Sequence, residues 1–114
     1  MNIETNLGIY HRMYQVNFKF AKKGVMRFIS HLDLMRLFTR ALRRAEFPLK
    51  MTEGFSPHPK FSIKRALKLG LESDNEEAVV VLKEKIEPQD FNARLKRQLP
   101  AGIEINSVQV KTYA

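Results

Sequence analysis

The chain predicts one α+β domain: a four-stranded antiparallel sheet with two helices on one face. Three observations predict it. A period-two alternation sets Tyr14, Val16, Phe18 and Phe20 against Gln15, Asn17 and Lys19, which is the pattern of a half-buried strand. Two helical stretches, one opening at Ser30 and one at Pro88, are separated by two strand-like runs. Residues 103–110 then return to a strand pattern, so the order is strand, helix, strand, strand, helix, strand.

Taken in order, residues 1–13 show neither period and read as a flexible leader, leaving 14–114 as a single domain. Lys22-Lys23-Gly24 interrupts the first strand, and Val25–Ile29 reads as a second strand piece, paired as a hairpin or continuing as one bulged strand. Ser30 is placed as a helix N-cap, with Asp33 at the capping-box spacing. The helix runs to Glu46, with Leu34, Met35, Phe38, Ala41, Leu42 and Ala45 on one face. Pro48 prevents its continuation. Gly54-Phe55-Ser56-Pro57-His58-Pro59 is a loop stiffened by its prolines. Phe61, Ile63 and the apolar residues up to Leu71 predict a strand, and Gly70 to Asn75 a polar turn. The β-branched run from Ala78 to Leu82 predicts a strand central in its sheet.

Pro88 suits the first turn of the second helix, with Phe91, Leu95 and Leu99 inward and Arg94, Lys96 and Arg97 outward. Ile103, Ile105, Val108 and Val110 make the last strand, and their change of face near Asn106 predicts a bulge. Right-handed crossovers in this order give the ferredoxin-like split βαββαβ arrangement. That fold hosts many functions and proves none.

Composition narrows the function classes. With 114 residues, 44% of them hydrophobic, the chain can build one core. It has no cysteine, which excludes disulfides, thiolate zinc sites and a self-ligated iron–sulfur cluster. No cofactor is expected, and a cysteine-free small domain fits a reducing, cytoplasmic setting. No apolar stretch is long enough to span a membrane. The net charge of +8 is unevenly placed. From Arg12 to Lys68 there are fourteen Lys/Arg against three acids, while the other residues carry six against nine. A basic part joined to an acidic part implies a positive surface for anionic partners, nucleic acid foremost, set against the plain reading of a solvated basic face.

Three motifs stand out. His31 lies in the first turn of its helix, where it can touch a phosphate or act as an acid or base. Its helical angle also points it towards the apolar stripe, so packing is the alternative. Arg36, Arg40, Arg43 and Arg44 fall within about 100° of one another on the opposite helix face, a comb of guanidiniums suited to phosphate. Solvated arginines paired elsewhere are the alternative. In the proline-bracketed loop His58 has a restricted position and Phe55 can stack on a base. Ser30 beside His31, Lys60 after the loop, and Lys64 and Arg65 beyond it extend the candidate surface for nucleic acid or a partner. A loop that merely ends a strand is again the alternative.

As catalysts these residues are incomplete. His11, His31 and His58 have no metal-like spacing. There is no phosphate-cradling glycine loop and no paired-carboxylate pattern. His31 and His58 would act together on RNA only if their rings converge.

The run ISHLDLMRLFTRALRRAEFPL, followed by EGFSPHPKFSI and then LGLES, resembles the radical SAM-linked domain (domain of unknown function 2344). That bacterial family is found attached to, or encoded beside, radical SAM proteins with a cobalamin-binding-like region. The likeness spans roughly Tyr14 to Val110 and departs from the family in the basic stretch Lys64-Arg65-Ala66-Leu67-Lys68. The resemblance implies a link to radical SAM chemistry. Without cysteines the chain would take part by presenting a substrate or by docking on the enzyme. The expected function is therefore an accessory module holding RNA, such as tRNA or rRNA, for a radical SAM partner. The alternatives are a protein adaptor and, more remotely, a small metal-independent ribonuclease.

Overall fold

In the computed structural model, which describes residues 12–66 and 69–113, the alternation around Tyr14 becomes strand β1 (Met13–Lys22). Its even-numbered apolar residues Val16, Phe18 and Phe20 are fully buried. Helix α1 (His31–Arg44) follows, then β2 (Phe61–Ile63), β3 (Ser73–Leu82), helix α2 (Pro88–Lys96) and β4 (Ile103–Tyr113). The strands lie in the order β2-β3-β1-β4, each pair antiparallel. This is the split βαββαβ topology.

Both helices lie on one face of the sheet, as Phe18 shows. Its ring lies 5.8 Å from Phe38 of α1 and 5.6 Å from Phe91 of α2. Phe61 of β2 stacks on it at 6.3 Å, and Phe20 meets Phe38 edge-on at 4.8 Å. Each buried aromatic ring contributes on the order of 2–3 kcal/mol through loss of apolar surface, plus a smaller term from ring geometry. The opposite face keeps the polar half of the alternation, with Gln15, Asn17, Lys19, Ser107 and Gln109 uncovered by any helix among the described residues.

Local signals act where expected at several points. The Asp33 amide donates to Ser30 Oγ at 3.1 Å, which caps α1. Pro88 opens α2. The register between β1 and β4 steps from Lys19↔Ser107 to Phe20↔Ile105, leaving Asn106 as the bulge. The continuous Ala78–Leu82 run lies in β3, flanked by β1 and β2, with Val81 buried on the face opposite the helices.

Other expectations are corrected. Val25–Ile29 is not a strand: Gly24–Phe28 forms a 3₁₀ helix. Gly24 takes φ +60, and amides of Met26 and Ile29 bond back three residues, so the chain coils where a strand would need extension. The strand at Phe61 ends at Ile63 instead of running towards Leu71, as Arg65 turns to the Glu76 carboxylate; Leu67 and Lys68 lie outside the described residues. The predicted turn at Gly70–Asn75 is cut short because β3 already begins at Ser73. Its polar residues are drawn into the sheet by the long β1, which pairs Lys22 with Ser73 and Lys19 with Glu77. Helix α1 ends at Arg44, and Arg94 of α2 is not fully outward. Its guanidinium lies over the Phe47 ring and donates to the Ala45 and Glu46 carbonyls at 2.6 and 3.0 Å, capping α1 from another element. Of the proposed leader, residues 1–11 lie outside the described residues, and Met13 already belongs to β1.

Candidate functional site

Helix α1 buries Leu34, Phe38, Ala41 and Leu42 against the sheet. That burial turns Arg36, Arg40, Arg43 and Arg44 outward, and all four are exposed. Arg36 makes a long surface pair with Asp33 at 3.4 Å, a contact that offsets little of its charge. Arg40, Arg43 and Arg44 have no ion-pair partner among the described residues. The guanidinium charge is therefore largely uncompensated.

The loop after α1 is tied to the edge of β3. The Lys50 amide donates to the Val81 carbonyl at 2.9 Å, and the Val81 amide to the Lys60 carbonyl at 3.0 Å. Met51 bridges Pro59, and the Thr52 amide donates to the His58 carbonyl at 2.8 Å, closing the loop into a small hairpin. Gly54 supplies the left-handed turn at φ +119. Phe55 at the tip is fully exposed.

Within this hairpin the His58 ring is held by its own loop. Nδ1 lies 3.1 Å from the Ser56 carbonyl and 3.3 Å from Thr52 Oγ1. A carbonyl can only accept, so the contact with Ser56 is a hydrogen bond in the tautomer with the proton on Nδ1, which leaves Nε2 for a ligand.

Two of the motifs meet in space. Arg36, Arg40 and Arg43 line one groove of about 470 Å³ together with His58. Its remaining walls are Leu32, Met35 and Thr39. A groove with guanidiniums, an imidazole and apolar walls can bind a phosphodiester while covering part of the attached sugar or base.

The other candidates are placed differently. Arg44 is exposed outside that groove. His31 does not line it either: the residue is half-buried, and its Nδ1 is enclosed with no hydrogen-bond partner among the described residues. Ser30 is engaged in capping. Lys60 lines a neighbouring groove on the sheet face, which His58 shares. Lys64 pairs with Glu77 at 3.5 Å.

Arg65 bonds both oxygens of Glu76 at 3.2 and 2.8 Å. Glu76 is buried and also accepts from Ser73 Oγ at 2.6 Å. Arg65, and then Ser73, hold its carboxyl below the ordinary carboxylate range against the opposing effect of burial. Burial pushes the nearby Lys22 ammonium down, partly offset by Glu76, and its Nζ donates to the Ile29 carbonyl at 3.2 Å. This cluster ties strand ends together away from the groove.

Sequence reasoning missed Leu32, Met35 and Thr39 as groove walls, and Thr52 as the residue that positions His58. Thr52 lies six residues before His58, so its part depends on the hairpin closing. Gln15 on the sheet-face groove was legible only as the polar side of β1. Among the described residues no cluster of three or more His, Asp or Glu could hold a metal ion, and no helix is long and apolar enough to cross a membrane.

The fold and groove define a small α+β domain with a basic helix face beside a stiffened histidine loop. The chain belongs to the bacterial family described as "uncharacterized protein conserved in bacteria (DUF2344)", whose profile matches residues 15–113. No curated protein and no solved structure shows significant similarity to it.

Proposed function

We propose that the chain is an accessory binding module that holds RNA, tRNA or rRNA among the candidates, for a radical SAM protein. One observation carries the RNA reading: Arg36, Arg40 and Arg43 share a groove with His58, and two of these arginines have no ion-pair partner among the described residues. Such a comb attracts phosphates, and its guanidiniums meet them by charge-assisted hydrogen bonds. The radical SAM link rests on the motif resemblance. The chain has no cysteine, so the cluster belongs to the partner and the module's part is to present the substrate.

The test is equilibrium binding of labelled bacterial tRNA and rRNA fragments at about 50 and 200 mM salt. The variant Arg36/Arg40/Arg43→Ala is measured alongside. Binding that weakens steeply with salt and is lost in the variant supports the reading. Binding that ignores both salt and the substitutions sinks it.

A protein-adaptor reading is favoured by a separate feature. Val25 and Phe28 of the 3₁₀ helix are 75% and 57% exposed. The turn bearing exposed Leu69 and Leu71 is fastened beside them, with the Gly70 amide donating to the Arg27 carbonyl at 2.6 Å. Apolar side chains gathered in this way suit a protein surface. Co-purification with the radical SAM enzyme that survives nuclease, and is lost in Val25→Asp/Phe28→Asp, would select this reading.

A further inference from the structure

The sheet face opposite the helices holds a second groove, and His58 lines both it and the arginine groove. The second groove, about 310 Å³, is floored by Val79 and Val81 and rimmed by Gln15, Thr52 and Ser62, with Lys60 at its edge. Its chemistry is the counterpart of the first. Three guanidiniums line one side of His58; on the other, amide and hydroxyl groups over two valines stand with a single ammonium, that of Lys60. The three guanidiniums suit a phosphate. The second groove, with its apolar floor and hydrogen-bonding rim, suits a nucleobase, which has an apolar face and a hydrogen-bonding edge.

Gln15 is equipped to read such an edge. Its Nε2 donates to Asn17 Oδ1 at 3.1 Å, which orients the amide. The carbonyl oxygen and the second amide hydrogen have no partner among the described residues, leaving one acceptor and one donor side by side. His58 lines both grooves, and contacts of Nδ1 with its own loop restrain the ring there.

We propose that the sheet-face groove is a base subsite. A nucleotide whose phosphate lies along Arg36, Arg40 and Arg43 turns its base past His58 onto Val79 and Val81, where Gln15 bonds its edge. The proposal rests on the RNA reading above and adds a substrate class: the RNA is single-stranded where it crosses His58. A base inside a duplex has both faces stacked and its pairing edge taken.

The experiment measures fluorescence anisotropy of labelled RNAs of roughly ten nucleotides: four homopolymers and one duplex of equal length. Each is titrated against the chain, Gln15→Leu and Arg40→Ala. The unaltered chain is expected to bind its preferred homopolymer at least about tenfold more tightly than the duplex. Gln15→Leu, which keeps the side-chain volume, loses about tenfold on that homopolymer and narrows the spread among the four, with its salt dependence unchanged. Arg40→Ala weakens all four alike and lowers the salt slope by about 0.7.

If Gln15→Leu leaves the four affinities as they were, or the duplex binds as tightly as the single strands, the base subsite is wrong while RNA binding stands. If the unaltered chain binds none of the RNAs in a salt-sensitive way, the RNA reading itself fails and this inference falls with it. Circular dichroism reports whether Gln15→Leu is folded. If it is not, Ser62→Ala on the same rim gives the same comparison.

Discussion

Thr52 and His58 are joined by two backbone-amide hydrogen bonds besides the 3.3 Å contact of Thr52 Oγ1 with the imidazole Nδ1. The Thr52 amide donates to the His58 carbonyl at 2.8 Å, and the His58 amide donates to Thr52 Oγ1 at 3.1 Å. With Pro57 and Pro59 on either side of His58, these bonds restrict the loop, which lowers the entropy lost when a ligand meets the imidazole. Replacing Thr52 by Val keeps the shape and removes the acceptor. We expect a stability loss of about 1 kcal/mol in urea denaturation and a several-fold weaker RNA affinity. Affinity unchanged in a variant that is measurably less stable would mean the position of His58 is immaterial to binding.

The arginines make different predictions according to place. Arg36, Arg40 and Arg43 line the groove, whereas Arg44 does not. On a single-stranded RNA the triple Ala variant should lower the slope of log affinity against log salt by about 2, from about 0.7 per phosphate contact. Arg44→Ala should change it less than any one of the three. An equal effect from Arg44 would show that only overall charge matters.

Phe18 joins the sheet to both helices through Phe38 and Phe91. Phe18→Ala removes the ring on which these elements converge, and should cost about 3–5 kcal/mol in denaturant unfolding. A loss under about 1 kcal/mol would mean that the two helices do not share one core there.

Gly102 takes φ +96, and a Cβ on it would lie 2.6 Å from the Lys23 carbonyl oxygen and 2.8 Å from Met26 Cγ. The same glycine's carbonyl accepts from the Lys23 amide at 2.8 Å, fastening the 3₁₀ helix to the start of β4. Gly102→Ala should therefore destabilise by about 1–3 kcal/mol, from positive φ and the clash together. A melting temperature equal to the parent's would contradict this packing.

Acid should loosen the Glu76 cluster. Arg65, then Ser73, hold the folded carboxyl below its ordinary value of 4.5, so the unfolded chain takes up this proton more readily. Ionised Glu76 thus contributes stability that is fully present above that value and fades as pH falls through the lower, folded one. Thermal melts across this range should show stability rising with pH, with a smaller rise in Arg65→Ala and less again in Glu76→Gln. The same slope in Glu76→Gln as in the parent would assign the acid sensitivity to other carboxylates.

Much of the fold is local and was legible. Period two at Tyr14–Phe20, the Ser30 cap, Pro88 at a helix start and the face change at Asn106 each depend on neighbours a few residues away, and each appears where the pattern puts it. The structure departs from the local pattern where distant partners override local preference. Val25–Ile29 has strand-forming residues, yet Gly24 and the bond from Lys23 to Gly102 coil it. Ser73–Glu77 is polar enough for a turn, yet pairing with β1 holds it extended.

The candidate site divides the same way. That the arginines share one helix face follows from 100° per residue, and that His58 is stiffened follows from its flanking prolines. Sequence alone determined those two features, because each is set within a few turns or residues of chain. Only the tertiary structure decided that His58 meets Arg36, Arg40 and Arg43 while Arg65 turns to Glu76, and that Arg94 caps a helix 49 residues away. Those pairings depend on which strand edges bond and which faces bury, and charge along the chain carries no record of distance across it.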